Sequence, residues 1–345
     1  MKYSKKQISK AGNLMLSSKD YTEVANSIKI INEWRSSHLV PLKNLNKLIV
    51  KQLKENSIQA VFSSQRLKRL TSIEYKLDLN PKMGLGNMQD IGGLRFVFRT
   101  VNDLNKVLMI LKNSSFEGFT LDKINNYIEE PKESGYRSIH LIYIYHSDDP
   151  IYDGLKIELQ IRTKLQHNWA TAVETAGLYT KTSLKSSQGS TVWLSFFKIT
   201  SSLFAIKEKL PVMKEHRDFT MEQLMVMCYT LNQKEKISSV LSALRVTVES
   251  IKKTKLDKEY HIIHIDFVNS IVKINSYNKN EAERASVQYS ELEKTVVDGK
   301  DAVVFVLVSS IKDLQNAYPS YFLDTSEFIN ALNKIGENCK LLKLV

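Results

Sequence analysis

The sequence predicts an α/β fold, because strand-like and helix-like segments follow one another along it. Residues 93–100, 137–146 and 155–163 are rich in Ile, Val, Leu and Tyr and partly alternate apolar with polar side chains, as strands do. Apolar residues at helical spacing precede these segments over residues 21–53 and return from residue 165 onward. A chain of 345 residues is also long enough for about two domains.

The helices of the first part follow from the spacing of apolar residues. Between Tyr21 and Leu53 these residues recur every three or four positions, and Pro41 is expected to break the pattern. The same spacing predicts a helix at 102–112 and helices from Lys164 to about Pro211. We therefore divide this part into a basic helical lead-in, residues 1–49, and an α/β domain with trailing helices, residues 50–214.

Residues 215–345 predict a smaller C-terminal α/β module. An amphipathic stretch at about 220–252 precedes two strands, HIIHIDFV and SIVKINSY, which are joined near Asn269. A helix from Glu281, a strand DAVVFVLV and helical segments near 311–315 and 326–335 complete a ββαβα order, which favours a separate module. Its role is left open among regulation, oligomerisation and neutralisation of a toxic activity.

Composition limits the classes of protein. The net charge is +12, and residues 1–69 hold 14 Lys or Arg against 4 Asp or Glu. Such asymmetry indicates either a polyanionic partner such as nucleic acid or a solvated helix face. The two cysteines suggest a reducing compartment, and no apolar run approaches the ~18 residues of a membrane span. We expect a cytoplasmic protein without a membrane partner.

A cluster of cations follows Gln65 in the segment RLKRLTSIEYK. Lys and Arg neutralise phosphate oxygens, and a serine supplies a further hydrogen bond, so this spacing suits a triphosphate. No GxxxxGK[ST] motif occurs, which indicates that phosphates are not held by a P-loop. The candidate phosphate ligands are Arg66, Lys68, Ser72 and Lys76.

Two carboxylates form the second constellation. Asp90 precedes a double glycine that lets backbone approach a ligand, and Glu158 lies in the strand-like segment LKIELQIRT. Alternation in that segment puts Glu158, Gln160 and Arg162 on one face while its isoleucines and leucine enter the core. Two carboxylates beside a phosphate site are natural Mg²⁺ ligands.

The loop EEPKESGYRSIH is the third candidate region. Pro131 and Gly135 favour a loop that exposes Lys132 and Tyr136 ahead of the strand that carries His140. A tyrosine beside a glycine can offer an open ring face for a base to stack on, and a lysine can meet a phosphate.

Together these segments resemble the synthetase domain of the RelA/SpoT family over about 120 residues. The order is R-x-K with downstream Ser and Lys, DIGGLR, PKxxGYRSIH, and then ELQIRT followed by His167. The resemblance implies a mixed β-sheet flanked by helices, similar to nucleotidyltransferases. It also implies transfer of pyrophosphate from ATP to a ribose 3′-hydroxyl, with AMP as the leaving group and Mg²⁺ as the cofactor.

The resemblance also implies residue roles. Arg66 and Arg95 match the pair that stacks on adenine, and Asp90 and Glu158 match the Mg²⁺ carboxylates, Glu158 being placed to take the acceptor proton. Lys68, Ser72 and Lys76 match residues that contact the ATP phosphates. Tyr136 matches the ring that stacks on the acceptor base. The residues that match the surroundings of that base are Lys132, His140, Gln160, Arg162 and His167.

Two departures from the family pattern bear on the acceptor. Ser134 stands where guanine-nucleotide enzymes commonly carry Asn, and LQHNWATAVETAGLYT resembles a subgroup that includes toxic small synthetases. Some of these relatives modify the 3′ end of tRNA, which the basic N-terminal third would suit. The first expectation is (p)ppGpp synthesis from GDP or GTP, with a toxic tRNA 3′-end pyrophosphotransferase, in toxin–antitoxin or phage defence, as the alternative.

A catalytically silent nucleotide- or RNA-binding module is a further alternative, which retention of both Asp90 and Glu158 disfavours. A homo-oligomer or a regulatory or antitoxin partner remains open. The string HIIHID contains His261, His264 and Asp266, but it lies on a predicted strand, so a structural role is expected rather than a metal site.

Overall fold

The computed structural model describes residues 2–180, 184, 187, 189–243, 258–266, 271–297, 301–307 and 325–345. The strands in this part of the chain are β1 (Phe62–Leu67), β2 (Gly92–Phe98), β3 (Phe119–Asn126), β4 (Ile139–Tyr145), β5 (Lys156–Thr163), β6 (Tyr260–Asp266), β7 (Ile271–Tyr277) and β8 (Asp301–Leu307). They form one sheet in the order β3-β4-β5-β2-β1-β8-β6-β7.

Helices flank the sheet in the same described residues. They are α1 (Lys5–Ser17), α2 (Tyr21–Ser37), α3 (Leu39–Glu55), α4 (Leu70–Asp78), α5 (Val101–Asn113), α6 (Lys164–Thr180), α7 (Thr191–Lys207), α8 (Met221–Glu235), α9 (Ile237–Ala243), α10 (Ala282–Thr295) and α11 (Ser326–Leu341). None of these helices is long and apolar enough to cross a membrane.

The sheet is mixed, as expected. Strands β2 and β5 are parallel, whereas the other pairs, including β1 with β2 and β4 with β5, are antiparallel. The alternation predicted for β5 is confirmed, since Ile157, Leu159 and Ile161 enter a core shared with α3 and α5. Glu158 and Gln160 therefore lie on the opposite face of the sheet.

The break expected at Pro41 falls instead at His38, which separates α2 from α3. Pro41 lies in the first turn of α3, where its missing N–H costs no hydrogen bond. Strands β1 and β3 were not predicted. Four of the six residues of β1, FSSQRL, are polar and it has no apolar run, so pairing with its neighbours, rather than local pattern, makes it a strand.

The C-terminal strands do not form a separate sheet. Strand β8 pairs with β1 through Gln65↔Leu307 and Arg66↔Val306, so β6, β7 and β8 extend the N-terminal sheet. The expectation of a separate module is wrong in this respect, because sequence periodicity does not reveal which edges of two strand groups will pair. The boundary at residue 215 stays a prediction.

Parts of the predicted C-terminal order lie outside the described residues, namely the segment 311–315, the turn near Asn269 and the end of the stretch 220–252. The predicted final helix is present as α11. In HIIHID, the ring of His261 bonds the Ser276 hydroxyl at 2.9 Å, and that of His264 bonds the Asp301 carboxylate at 3.0 Å. Both partners belong to neighbouring strands.

Candidate active site

The first carboxylate lies where β2 begins. Asp90 precedes this strand and accepts hydrogen bonds from the ammonium groups of Lys68 at 2.9 Å and Lys76 at 2.8 Å. Lys68 follows β1 directly, and Lys76 lies on α4. Burial alone would raise the pKa of Asp90, but the two lysines outweigh burial and hold that pKa well below its usual range.

Ser72 lies one helical turn before Lys76 on α4, so the two residues share one face of this helix. The predicted cation cluster thus spans the end of β1 and the first two turns of α4, around Asp90.

Three arginines lie on the neighbouring strands β1, β2 and β5. Arg66 on β1 is opposite Gly93, and Arg95 on β2 is opposite Gln160 of β5. The third, Arg162, is 1% exposed. Burial, together with the charges of Arg95 and Arg66, lowers the pKa of Arg162 to about 9. This face of the sheet therefore concentrates positive charge, which suits an anionic ligand.

The second carboxylate lies opposite the start of β2. Glu158 pairs in register with Gly93, accepts a hydrogen bond from Nδ1 of His140 at 2.8 Å and accepts another from the Gln160 amide at 2.7 Å. Burial raises the pKa of Glu158 and the charge of Asp90 adds to this, yet His140 outweighs both and the pKa is lowered. The two carboxylates thus influence one another across the β2–β5 pair.

His140 links Glu158 to the tyrosine of the third motif. Its Nε2 lies 3.0 Å from the Tyr136 hydroxyl. Burial lowers the pKa of His140, but Tyr136 and Glu158 raise it more, so that it reaches about 9. The raised pKa favours the imidazolium form of His140 beside the Glu158 carboxylate.

The open ring face expected for Tyr136 is absent from this structure. The side chain is 2% exposed and packs in a core with α6, α7 and α8. The loop is held there because the Ser201 hydroxyl of α7 donates to the Gly135 carbonyl at 2.7 Å. Sequence showed the loop but could not show that α7 would cover it.

Lys132 covers the remaining aromatic surface. Its ammonium lies 4.5 Å from the ring centroid of Tyr127 and 5.4 Å from that of Tyr136, within cation–π range. Tyr127 was missed by sequence reasoning, because an aromatic residue after a strand carries no distinctive signal. It packs edge-on against His140, at a centroid distance of 5.1 Å.

Arg162 and His167 lie in contact with each other. An Nη atom of Arg162 bonds Nδ1 of His167, while Nε and Nη1 of Arg162 have no hydrogen-bond partner among the described residues. The His167 ring packs edge-on against Phe62, at a centroid distance of 4.9 Å. Ser134 is buried, and its hydroxyl likewise has no hydrogen-bond partner in the described part of the chain.

The arrangement can hold a cation only with help from a ligand. Within the described residues, no three His, Cys, Asp or Glu side chains gather into a metal site. Mg²⁺ is commonly held by one or two carboxylates together with substrate phosphates, and the pair Asp90 and Glu158 beside lysines fits that donor set.

Comparison with known proteins agrees with the motifs. Residues 65–183 match the family model described as the region found in RelA / SpoT proteins. The chain is 38% identical over 117 residues to GTP pyrophosphokinase YjbM of Bacillus subtilis, and the matched stretch covers 32% of this chain and 53% of that protein. It is 31% identical over 119 residues to GTP pyrophosphokinase YwaC of the same organism, and this match covers 32% of this chain and 54% of that protein. The chain thus spans about half the length of the curated relatives it matches.

Solved structures of similar proteins include two small alarmone synthetases from Bacillus subtilis. Synthetase 2 aligns with a TM-score of 0.43 and 22% identity, over 52% of this chain and 93% of that one. Synthetase 1, bound to its product pppGpp, aligns with a TM-score of 0.41 and 29% identity, over 50% and 91%. The four ordered motifs all lie within the stretch that matches this family model, residues 65–183.

Proposed function

We propose that this protein transfers pyrophosphate from ATP to the 3′-hydroxyl of GDP or GTP and releases AMP. The observation that carries the proposal is a pair of ionised carboxylates at the paired strands β2 and β5, with Asp90 just before β2 held by two lysines and Glu158 on β5 held by His140. Relatives named GTP pyrophosphokinases support the reaction class.

The donor half of the site would bind ATP. Lys68 and Lys76 now neutralise Asp90, and the same ammonium groups can turn to triphosphate oxygens when these arrive. Ser72 on the same helix face adds a hydroxyl donor, and the planar guanidinium groups of Arg66 and Arg95 suit stacking on adenine.

Asp90 and Glu158 are the residues that would hold Mg²⁺ together with the phosphates of ATP. When bound, this ion supplies charge neutralisation on the triphosphate and lowers the pKa of a coordinated hydroxyl.

Glu158 would act as the proton acceptor. The 3′-oxygen of the acceptor forms a bond to the β-phosphorus of ATP, the bond from that phosphorus to the α,β-bridging oxygen breaks, and AMP leaves with the electron pair. The hydroxyl proton passes to a Glu158 oxygen. His140 and Gln160 fix the orientation of this carboxylate, and such alignment supplies much of the rate in phosphoryl-type transfer.

The acceptor half would bind the base where Lys132 now covers two tyrosines. Displacement of the Lys132 ammonium would uncover the face of Tyr127, whereas stacking on Tyr136 would also require its loop to move away from α7; the Lys132 charge then suits an acceptor phosphate. Further polar groups of the acceptor half are the buried Ser134 hydroxyl and two nitrogens of Arg162, which have no hydrogen-bond partner among the described residues. Gln160 and His167 add to this set.

The lysines of α3 give no support to a tRNA acceptor. Four lysines form one stripe along α3, and this helix packs on the sheet face opposite to Glu158. Two of the four are paired, Lys43 with Glu259 at 2.8 Å and Lys51 with Glu55 at 3.9 Å. An acceptor at Glu158 therefore does not border this stripe, which consists of Lys43, Lys47, Lys51 and Lys54.

The direct test incubates the full chain with γ-labelled ATP, Mg²⁺ and either GDP, GTP or deacylated tRNA. We expect label on the guanine nucleotide and stoichiometric AMP. Label on tRNA instead would establish the toxic alternative if it depends on the basic surface. In that case, reversing Lys47, Lys51 and Lys54 to Glu should abolish the label and flatten the salt dependence of tRNA binding. ATP binding without label on any acceptor would indicate a silent module.

A further inference from the structure

Helix α4 carries Ser72 and Lys76 but lacks a cap of its own. It has nine residues, and its N-cap residue, Arg69, makes no side-chain capping hydrogen bond. The first four N–H groups of any helix have no partner within it, and so short a helix is marginal in isolation. Hydrogen-bond acceptors for these N–H groups must therefore come from outside α4.

A glutamate from the C-terminal half supplies that partner. Oε1 of Glu293 on α10 accepts the backbone N–H of Leu70, the first residue of α4, at 2.9 Å across 223 positions of sequence. The same carboxylate is 5% exposed, and its negative charge at the helix N-terminus is favourable. The C-terminal half thus completes a helix of the ATP-binding segment.

Arg35 joins this contact to Lys68. The guanidinium donates from Nη1 to Glu293 at 2.7 Å and from Nε to the Lys68 carbonyl at 3.0 Å. The N–H of Lys68 donates to the Ile91 carbonyl at 2.8 Å, so the backbone of Lys68 is held on both sides. Tyr289 completes the network, because its hydroxyl donates to Glu293 at 2.5 Å and accepts from Arg35 at 3.1 Å.

We infer that Glu293, acting with Arg35, is a positioning residue for ATP binding. It caps α4 and fixes the start of that helix relative to Lys68, so that Lys68, Ser72 and Lys76 converge on one triphosphate. This role rests on the proposed function. It also explains why a buried ion pair lies between α2 and α10, where an apolar contact would serve stability as well.

The test separates capping from general stability with two double variants of the full chain. Arg35→Met with Glu293→Gln removes both charges but keeps an oxygen that accepts from Leu70, whereas Arg35→Met with Glu293→Met removes that acceptor too. Neither leaves a lone buried charge. Glu291→Met, at an exposed position of α10, is the matched control.

We expect the variant without the acceptor to bind a non-hydrolysable ATP analogue about three- to tenfold more weakly than the variant that keeps it. Amides of residues 70–78 should exchange with solvent faster, while GDP affinity and the rate at saturating ATP change less than twofold in this comparison. The control should match the wild type. If a double variant does not fold, Glu293→Asp replaces it, because the shorter side chain keeps the charge beside Arg35 but withdraws the oxygen from the Leu70 N–H. This variant should bind the ATP analogue more weakly than the wild type and exchange the amides of residues 70–78 faster.

Equal analogue affinity and equal exchange of α4 in the two double variants, or in Glu293→Asp and the wild type, would overturn the inference. An equal loss of ATP and GDP affinity would also overturn it, because that result indicates general loosening. A wild-type chain that binds ATP but labels no acceptor would sink the proposed function alone, since affinity and exchange still decide the role of Glu293.

Discussion

The two carboxylates of the site are held in opposite ways. Asp90 is paired with lysines whose side chains are 14% and 33% exposed and extend on flexible stems from a strand end and a helix. Glu158 is paired with His140, whose side chain is 9% exposed, and with Gln160 on its own strand. The donor half of the site is therefore built from side chains that can move, and the acceptor half from side chains fixed by the sheet.

This difference assigns different tasks to the halves. Lysines that leave Asp90 for phosphates exchange one anion for another, so the rearrangement costs little electrostatic energy. Glu158 has no such exchange available, and its hydrogen bonds keep it oriented before the acceptor arrives. Changes on the Glu158 side should reduce the rate, and changes on the Asp90 side should reduce ATP affinity as well.

The largest effect is expected from Glu158→Gln. The amide cannot take the acceptor proton, so the single-turnover rate should fall by about 10²–10⁴-fold, while the ATP analogue still binds through Lys68, Lys76 and Asp90. Glu130→Gln, on the exposed loop before β4, is the control and should keep the wild-type rate. A Glu158→Gln variant with most of the wild-type rate would remove Glu158 from the chemistry.

Asp90→Asn should affect both affinity and rate. Without this carboxylate the Mg²⁺–ATP complex loses one anchor, and we expect kcat/KM for ATP to fall by about 10–100-fold, measured by initial rates over a range of Mg²⁺ concentrations. Asp122→Asn removes a comparable but more exposed pair with Lys156 and should leave kcat/KM unchanged. Insensitivity of the Asp90 variant to Mg²⁺ concentration would argue against a metal at this position.

His140 predicts a pH dependence of stability. Its pKa is raised from 6.5 to about 9 by Tyr136 and Glu158, against the lowering effect of burial. The folded state therefore binds the proton more tightly than the unfolded chain, and the stabilisation is complete below about pH 6.5 and lost as pH rises through about 9. Between those limits wild type should lose on the order of 1–3 kcal/mol more unfolding free energy than His140→Asn, measured by urea titration. Parallel pH profiles would mean that His140 is not protonated in the folded state.

The smallest effect is expected from Tyr136→Phe. This change keeps the ring for an acceptor base and removes only the hydroxyl beside His140, so KM for the acceptor should change about twofold or less. Tyr136→Ala should instead raise the acceptor KM, since stacking is worth about 1–3 kcal/mol per base, and should also lower the unfolding temperature because the ring is buried. An unchanged acceptor KM in the alanine variant would show that Tyr136 is a packing residue alone.

Sequence predicted the parts of the site that depend on local pattern. Alternation in β5 predicted the polar face that carries Glu158 and Gln160, and the double glycine after Asp90 indicated backbone that a ligand can approach closely. Contacts between residues far apart in the chain could not be predicted from local pattern. The contact of Arg35 with Glu293 spans 258 positions, and the joining of β8 to β1 depends on strand edges that periodicity does not distinguish. One signal was present for Arg35, which lies on the apolar stripe of α2 beside Ile31 and Trp34.

The decisive measurement is a crystal structure of the full chain with a non-hydrolysable ATP analogue and Mg²⁺. We expect the Lys68 and Lys76 ammonium groups to leave Asp90 for phosphate oxygens, while His140 and Gln160 keep their hydrogen bonds to Glu158. Lysines that stay within 2.9 Å and 2.8 Å of Asp90 with the nucleotide bound elsewhere would contradict these roles. A Glu158 side chain that swings away from His140 on ATP binding would contradict them equally.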